Sequence, residues 1–341
     1  MKKIKVAIAG ATGFTGIELV KILAKHPGVQ ITHLFAQSNL GKPISFFDNK
    51  IKNTKKFPKV SSLINSDLDN IDAIFTALPH GEAHVIAKKL NKDCVLIDLS
   101  ADFRISSKTI YEEWYKVPHL ATNLQKKAVY GLSEINRALI KNANIIACPG
   151  CYPTSILLPL IPLVKKKLIN TNIIIADSKS GYSGAGKKIE DKKLYPNINQ
   201  NLAIYGVGKH RHMPEIEQEL SIHNSKKIQI TFTPHLIPTF RGILSTIYLD
   251  LSKDVTSNDV YKCLKNFYIK EKFIEILTSN NMINTNRVLN TNMCNIAVYN
   301  NKFKNKIIIA SAIDNLVKGA AGQAVQNFNI RYGFSETLSL I

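Results

Sequence analysis

Short apolar runs rich in β-branched residues recur along the first half of the chain: Lys5-Val6-Ala7-Ile8-Ala9, Gln30–Ala36, Ala73–Ala77, Cys94–Leu99 and Asn144–Ala147. Runs of this length bounded by turn residues read as strands. The first leads through Gly10-Ala11-Thr12-Gly13-Phe14-Thr15-Gly16 into a helical pattern from Ile17 to Lys25, and a turn at Leu78–His84 opens a second helix reaching about Leu90. Strands alternating with helices predict a Rossmann-type α/β domain with a parallel sheet. After residue 150 the pattern changes. Asn172–Asp177, Lys227–Phe232, Ile243–Leu249 and Lys306–Ala310 read as strands with few helices between them, which predicts a second α+β domain with a mainly antiparallel sheet. The apolar stretch Ile156–Val164, interrupted by Pro159 and Pro162, reads as a buried helix or two short ones. Asp314–Phe328 reads as a helix with small side chains, suited to packing back on the first domain. The predicted boundaries are 1–150, 151–313 and 314–341.

Composition narrows the class. A chain of 341 residues with 45% hydrophobic and 21% charged residues is globular and long enough for two cores. No apolar window reaches the ~18 residues of a membrane span, and the start lacks signal-peptide character, so a cytoplasmic protein without a membrane partner is expected. Five cysteines, an odd number, fit reduced thiols. The net charge of +20 invites a nucleic-acid partner. The lysines are dispersed, however, in small groups such as Lys55-Lys56, Lys165-Lys166-Lys167, Lys187-Lys188 and Lys192-Lys193, without aromatic interleaving. No nucleic-acid partner is expected, and the charge is read as an aid to recruiting anionic substrates.

Two stretches carry chemistry. In the first, the glycine turn between strand and helix lets backbone N–H groups approach a pyrophosphate at a helix N-terminus, which makes Gly10, Thr12, Gly13, Phe14, Thr15 and Gly16 cofactor-binding candidates. The second strand ends in Gln37-Ser38, without the acid that usually holds the ribose hydroxyls of NAD, and Ser38 with Lys42 nearby points to the 2′-phosphate of NADP. Arg104, following a strand in Ser100-Ala101-Asp102-Phe103-Arg104, is a candidate anchor for an anionic group.

The second stretch is Cys148-Pro149-Gly150-Cys151-Tyr152-Pro153. Pro149-Gly150 ends a strand and Pro153 favours a helix start, so Cys151 falls at a helix N-terminus, where the dipole favours thiolate. Cys151 is the candidate nucleophile; a small buried hydrophobe and half of a C-x-x-C redox dithiol with Cys148 are the competing readings. His212, just before a helix begun by Pro214, is the candidate acid/base group, with His210 as its rival and Glu215 placed to orient the ring. Arg211 joins Arg104 as a substrate-binding candidate. His80 with His84, and His210 with His212, lack an evident third ligand, so no metal is expected. The Ser180–Lys187 turn offers N–H groups to an oxyanion, and Asn315 and Lys318 are placed facing the cofactor.

The Gly10–Gly16 turn, Leu99–Arg104, Pro149–Thr154, Ser180–Gly186, His210-Arg211-His212, Thr233–Leu236 and Ala312–Ala324 together resemble the N-acetyl-gamma-glutamyl-phosphate reductase family, related to aspartate-semialdehyde dehydrogenase. The resemblance runs through essentially the whole chain. It implies NADP bound in an N-terminal Rossmann-type domain and a cysteine nucleophile at Cys151. It also implies homo-oligomers, dimer or tetramer, and NADPH-dependent reduction of N-acetyl-glutamyl phosphate to its semialdehyde in arginine biosynthesis. Two positions depart from the family's pattern: Cys148 stands where Asn is usual, and Gln37 lies where a serine-arginine pair is common nearby.

Overall fold

The computed structural model describes residues 2–51, 56–64, 66–187, 197–198 and 200–341; Lys55, Lys188, Lys192 and Lys193 lie outside the described residues. The chain forms two compact units, Met1–Pro149 with Ala320–Ile341, and Gly150–Gly319.

The first unit is built on strands β1 (Ile4–Ala9), β2 (Val29–Phe35), β3 (Val60–Ser61), β4 (Ala73–Thr76), β5 (Val95–Asp98), β6 (Val129–Tyr130) and β7 (Ile145–Ala147), in the order β3-β2-β1-β4-β5-β7-β6. Every pairing is parallel. The central strands are apolar on both faces because both are covered. Val6, Ile8, Phe75 and Ile97 join a core with Leu19, Val20 and Leu23 of the helix Phe14–Leu23 and with Val325 and Phe328 of the C-terminal helix Gly322–Tyr332. Ala7, Ile74 and Leu96 point to the other face, against Ala83, Ile86 and Phe103. The helix expected to reach Leu90 is only Ala83–Ala87.

The second unit carries β8 (Ile169–Gly181), β9 (Ala203–Ile204), β10 (Thr231–Ile237), β11 (Ile243–Leu251), β12 (Ile274–Leu277), β13 (Cys294–Asn300) and β14 (Lys306–Ile313), in the order β12-β13-β14-β11-β8-β10-β9. The sheet is mixed and mainly antiparallel, with β12–β13 and β8–β10 parallel. The sequence expectation of an α/β domain joined to a mainly antiparallel α+β domain is therefore met. Among the described residues three α-helices, Cys151–Lys165, Met213–Ile222 and Ser257–Phe267, accompany this sheet, more helix than the strand-rich pattern suggested. Pro159 and Pro162 do not split the first of them. A proline at 162 removes the donor that would satisfy the Leu158 carbonyl, and the Tyr268 hydroxyl donates to it instead at 2.5 Å.

One face of the second sheet turns away from these helices. Across it the register aligns Thr231, Ile175, Tyr248, Ile308 and Tyr299 in one row. Ile173, Ile175 and Tyr248 are 53%, 37% and 41% exposed on this face, whereas Ile174, Ile247 and Ile309 on the opposite face are buried. Among the described residues no helix is long and apolar enough to cross a membrane, and no group of three or more His, Cys, Asp or Glu is placed to hold a metal ion.

Candidate functional site

The glycine turn of the first unit is shaped by close backbone approach. Gly10 has φ +81°, and a Cβ there would lie 2.2 Å from the Ala77 carbonyl oxygen; at Gly16 a Cβ would lie 2.1 Å from the Gly10 oxygen. Only glycine fits at either position. Gly13 caps the helix Phe14–Leu23 without a side-chain bond, and its first turn carries no acid, so the N–H groups of that turn would meet an anion without a competing carboxylate beside them. A cleft of about 430 Å³ opens here, lined by Gly10, Thr12 and Gly13, by Gln37 and Ser38 beyond β2, and by Leu78, Pro79 and Glu82 beyond β4. Its position at the carboxyl ends of parallel strands, with a helix start that no side chain caps and glycines no larger residue can replace, fits a dinucleotide. Of the predicted cofactor residues, Gly10, Thr12, Gly13 and Ser38 line the cleft; Phe14 and Thr15 open the helix, and Gly16 packs beneath Gly10. Lys42 extends its ammonium over the Phe46 ring, 5.4 Å from the centroid.

Below the cleft lies a buried polar platform. The Asp102 carboxylate is fully buried and accepts from the N–H groups of Gly81 (2.7 Å), Ala83 (2.9 Å) and His84 (3.2 Å) and from the Tyr111 hydroxyl (2.6 Å). It fixes the turn after β4 from a distance. Asp98 accepts from the Thr76 hydroxyl at 2.6 Å and the Ser100 N–H at 2.9 Å, and burial, with the Asp102 charge adding, raises it to about 6. Arg104, the expected anion anchor, donates from Nε to the Cys148 carbonyl and from Nη2 to the Leu99 carbonyl, both at 2.7 Å. These bonds brace the ends of two strands and give Arg104 a structural occupation the sequence did not reveal.

Cys151 is the first residue of the helix Cys151–Lys165, capped by Gly150 with no side-chain bond, and it is half-buried. Thr154 closes the first turn by donating from its hydroxyl and its N–H to the Gly150 carbonyl, both at 2.9 Å. His212 caps the helix Met213–Ile222, and its ring lies against Gly150: a Cβ on Gly150 would sit 2.4 Å from His212 Nε2. A Cβ on Gly319 would sit 2.8 Å from Cys151 Cβ. Two glycines thus make room for the sulfur-bearing residue and the imidazole. Gly319 belongs to a π-helical turn, Val317–Ala321, where a single helix had been expected from Asp314 onward. The turn follows from Asp314, whose Oδ1 takes the N–H of Leu316 and Val317 while its carbonyl takes the N–H of Gly319.

Glu215 is fully buried and accepts from the Gly150 N–H at 2.8 Å. It therefore holds the residue immediately before Cys151, a role beyond the ring orientation expected of it. His210 accepts the His212 N–H on Nδ1 at 3.1 Å and packs among Tyr152, Tyr205, Phe232 and His212. Burial, with the adjacent Arg211 charge adding, lowers His210 to about 4, so it is a neutral ring near pH 7. Arg211 is exposed in the turn that precedes the helix Met213–Ile222.

Two further candidates have bonds of their own. Asn315, expected at the cofactor, belongs to the second unit, where it accepts from the Gly242 N–H at 2.8 Å and donates to the Ser183 hydroxyl at 2.9 Å. Cys148 is completely buried, takes a contact from the Asn327 amide at 3.6 Å, and is pushed by burial up to about 12. Such a thiol stays protonated and out of reach of oxidants, which weighs against the redox dithiol. Sequence reasoning missed Gly150 and Gly319, whose signal is an approach between distant segments, and Asp102, which was visible inside a quoted motif.

Comparison with known proteins agrees with this geometry. Residues 5–143 match the family "Semialdehyde dehydrogenase, NAD binding domain", and residues 151–315 match "Semialdehyde dehydrogenase, dimerisation domain". The chain is 46% identical over 338 residues to N-acetyl-gamma-glutamyl-phosphate reductase of Alkaliphilus metalliredigens, covering 99% of this chain and 98% of that one. It is 44% identical over 340 residues to the probable chloroplastic N-acetyl-gamma-glutamyl-phosphate reductase of Arabidopsis thaliana, covering 100% of this chain and 84% of that one. In fold it is similar to aspartate semialdehyde dehydrogenase II of Vibrio cholerae, with a TM-score of 0.73 at 18% identity over 98% of this chain and 99% of that one. A glycine turn suited to a dinucleotide, a cysteine at a glycine-capped helix start, and identity of this extent place the chain in the N-acetyl-gamma-glutamyl-phosphate reductase family, oxidoreductases of the semialdehyde dehydrogenase type.

Proposed function

We propose that the chain reduces N-acetyl-glutamyl 5-phosphate to N-acetyl-glutamate 5-semialdehyde with release of phosphate, using NADPH, as a cytoplasmic step of arginine biosynthesis. The observation that carries this reading is Cys151 at the first position of its helix, with His212 Nε2 packed against the preceding glycine. The helix dipole favours the thiolate, and His212 takes the proton the thiol gives up. The thiolate attacks the acyl carbon; a C–S bond forms, the C–O bond to phosphate breaks, and the departing phosphate takes a proton from solvent. NADPH, when bound, supplies the hydride that reduces the thioester. Backbone N–H groups at the helix start hold the resulting oxyanion, and His212 lends it a proton and recovers it as the C–S bond breaks and the semialdehyde leaves. Glu215 keeps Gly150, and so the cysteine after it, in register.

Gly10, Thr12, Gly13, Phe14, Thr15 and Gly16 form the pyrophosphate turn, with Ser38 and Lys42 toward the 2′-phosphate and Asn315 a further contact. Arg211 anchors the anionic substrate, and Arg104 shapes the strand ends from beneath. The row Ile175, Tyr248 and Ile308, in which Ile175 and Tyr248 are exposed, is the face through which copies of the chain join as a homo-oligomer, dimer or tetramer, to be read by light scattering after gel filtration. The direct assay of activity is the reverse reaction, phosphate-dependent reduction of NADP by N-acetyl-glutamate semialdehyde. Equal or faster turnover of aspartate semialdehyde would overturn the substrate assignment. Turnover without dependence on phosphate would overturn the acyl-phosphate chemistry.

A further inference from the structure

The dinucleotide cleft holds a carboxylate that the sequence pattern does not announce. At the end of β2, where open α/β sheets recognise the adenosine ribose, this chain has Gln37 and Ser38 and no acid. Glu82, from the turn after β4, lines the same cleft, half-buried, and its Oε1 accepts a hydrogen bond from Gln37 Nε2 at 3.3 Å. An acid is therefore delivered to the ribose end of the cleft from the turn after β4, on the far side of β1 from β2. Its backbone is held firmly, because the buried Asp102 takes the N–H of Gly81 at 2.7 Å and of Ala83 at 2.9 Å, the residues on either side. Gly81, at φ +90°, gives the turn the shape that allows both bonds.

We infer that Glu82 is a specificity-determining residue for the dinucleotide: its carboxylate accepts from a ribose 2′-hydroxyl and opposes a 2′-phosphate, so the chain takes NAD alongside NADP. This rests on the proposed nicotinamide cofactor and limits the preference that Ser38 and Lys42 would otherwise confer. A carboxylate one hydrogen bond from the ribose-recognition position repels the phosphate dianion within a partly enclosed cleft, where solvent screens less than on an open surface. The 2′-hydroxyl of NAD offers a donor at the same point.

The test is direct binding of NADP and NAD, by calorimetry, to the wild-type protein, to Glu82→Gln and to Glu82→Lys, with the thermal shift each dinucleotide produces as a second readout. Glutamine preserves the size of the side chain and can still bond Gln37. Expected is a ratio of NADP to NAD affinity about tenfold higher in Glu82→Gln and higher again in Glu82→Lys, with matching changes in the thermal shifts. Ratios that agree within twofold across the three proteins, or affinities for both dinucleotides that fall together, would overturn the role of Glu82 while leaving the cofactor reading standing. Failure of the wild-type protein to bind either dinucleotide would instead overturn both.

Discussion

Two helices of this protein begin in the same way and serve different ends. Phe14–Leu23 and Cys151–Lys165 each follow a parallel strand, each is capped by a glycine without a side-chain bond, and neither carries an acid in its first turn. At the first, glycines crowd the backbone and the helix start lines an open cleft, an arrangement for an anion that comes and goes. At the second, a half-buried cysteine occupies the first position, a histidine ring presses on the capping glycine, and a buried glutamate takes that glycine's N–H. One dipole is left open for a ligand, and the other is used on the protein's own sulfur. The surroundings, and not the helix start itself, decide which.

The sharpest break in this comparison is Cys151→Ser. It should lower kcat by roughly a thousandfold or more while leaving dinucleotide binding by calorimetry unchanged, because the hydroxyl is not ionised by the dipole. Next in size is Gly150→Ala, whose added Cβ falls 2.4 Å from His212 Nε2 and should cost on the order of a hundredfold in kcat, again with binding intact. At the other helix, Gly10→Ala meets the Ala77 carbonyl at 2.2 Å from a left-handed backbone and should lower stability by about 1–3 kcal/mol in urea melts while weakening dinucleotide binding. Cys148→Ala separates the two cysteines. With its thiol buried and held neutral, it should keep kcat within about threefold and cost about 1 kcal/mol of stability, whereas a redox dithiol would lose function as fully as with Cys151→Ala.

The smallest effect concerns pH. His210 titrates near 4 in the folded protein and near 6.5 unfolded, so between these values the unfolded chain holds the extra proton. Its contribution is complete above pH ~6.5 and declines as pH falls toward ~4. Urea midpoints at pH 7 and pH 5 should therefore differ less in His210→Asn than in the wild-type protein.

Much of the first unit could be read in advance, because a strand, a glycine turn and a helix follow one another within a single local segment. The second unit was harder. The alternation at Lys227–Phe232 reads as a strand, yet β10 begins only at Thr231. Ile228 and Ile230 are buried as the pattern demands, but their N–H groups are taken by the Ser221 hydroxyl and the Glu217 carboxylate, not by a ladder partner. Period-two burial was correct there and the hydrogen bonding it normally implies was not. The strand β13, Cys294–Asn300, escaped notice because Asn295 is polar and nevertheless only 2% exposed. At the candidate site, Cys151 and His212 were visible as residue types in local context. Gly150 and Gly319 matter for what comes within 3 Å of them, from segments far away along the chain.

Ala320–Ile341 belongs to the first unit, although the whole of Gly150–Gly319 is synthesised between the two. Val325 and Phe328 fill the core beside Val6 and Phe75, so the opening strands emerge from the ribosome with that underside bare and must wait for the last helix to arrive. The middle of the chain can finish folding before its beginning does. A stop codon a few codons before Val325 would therefore strip the first unit of its final seal, although every residue of the second unit would still be made.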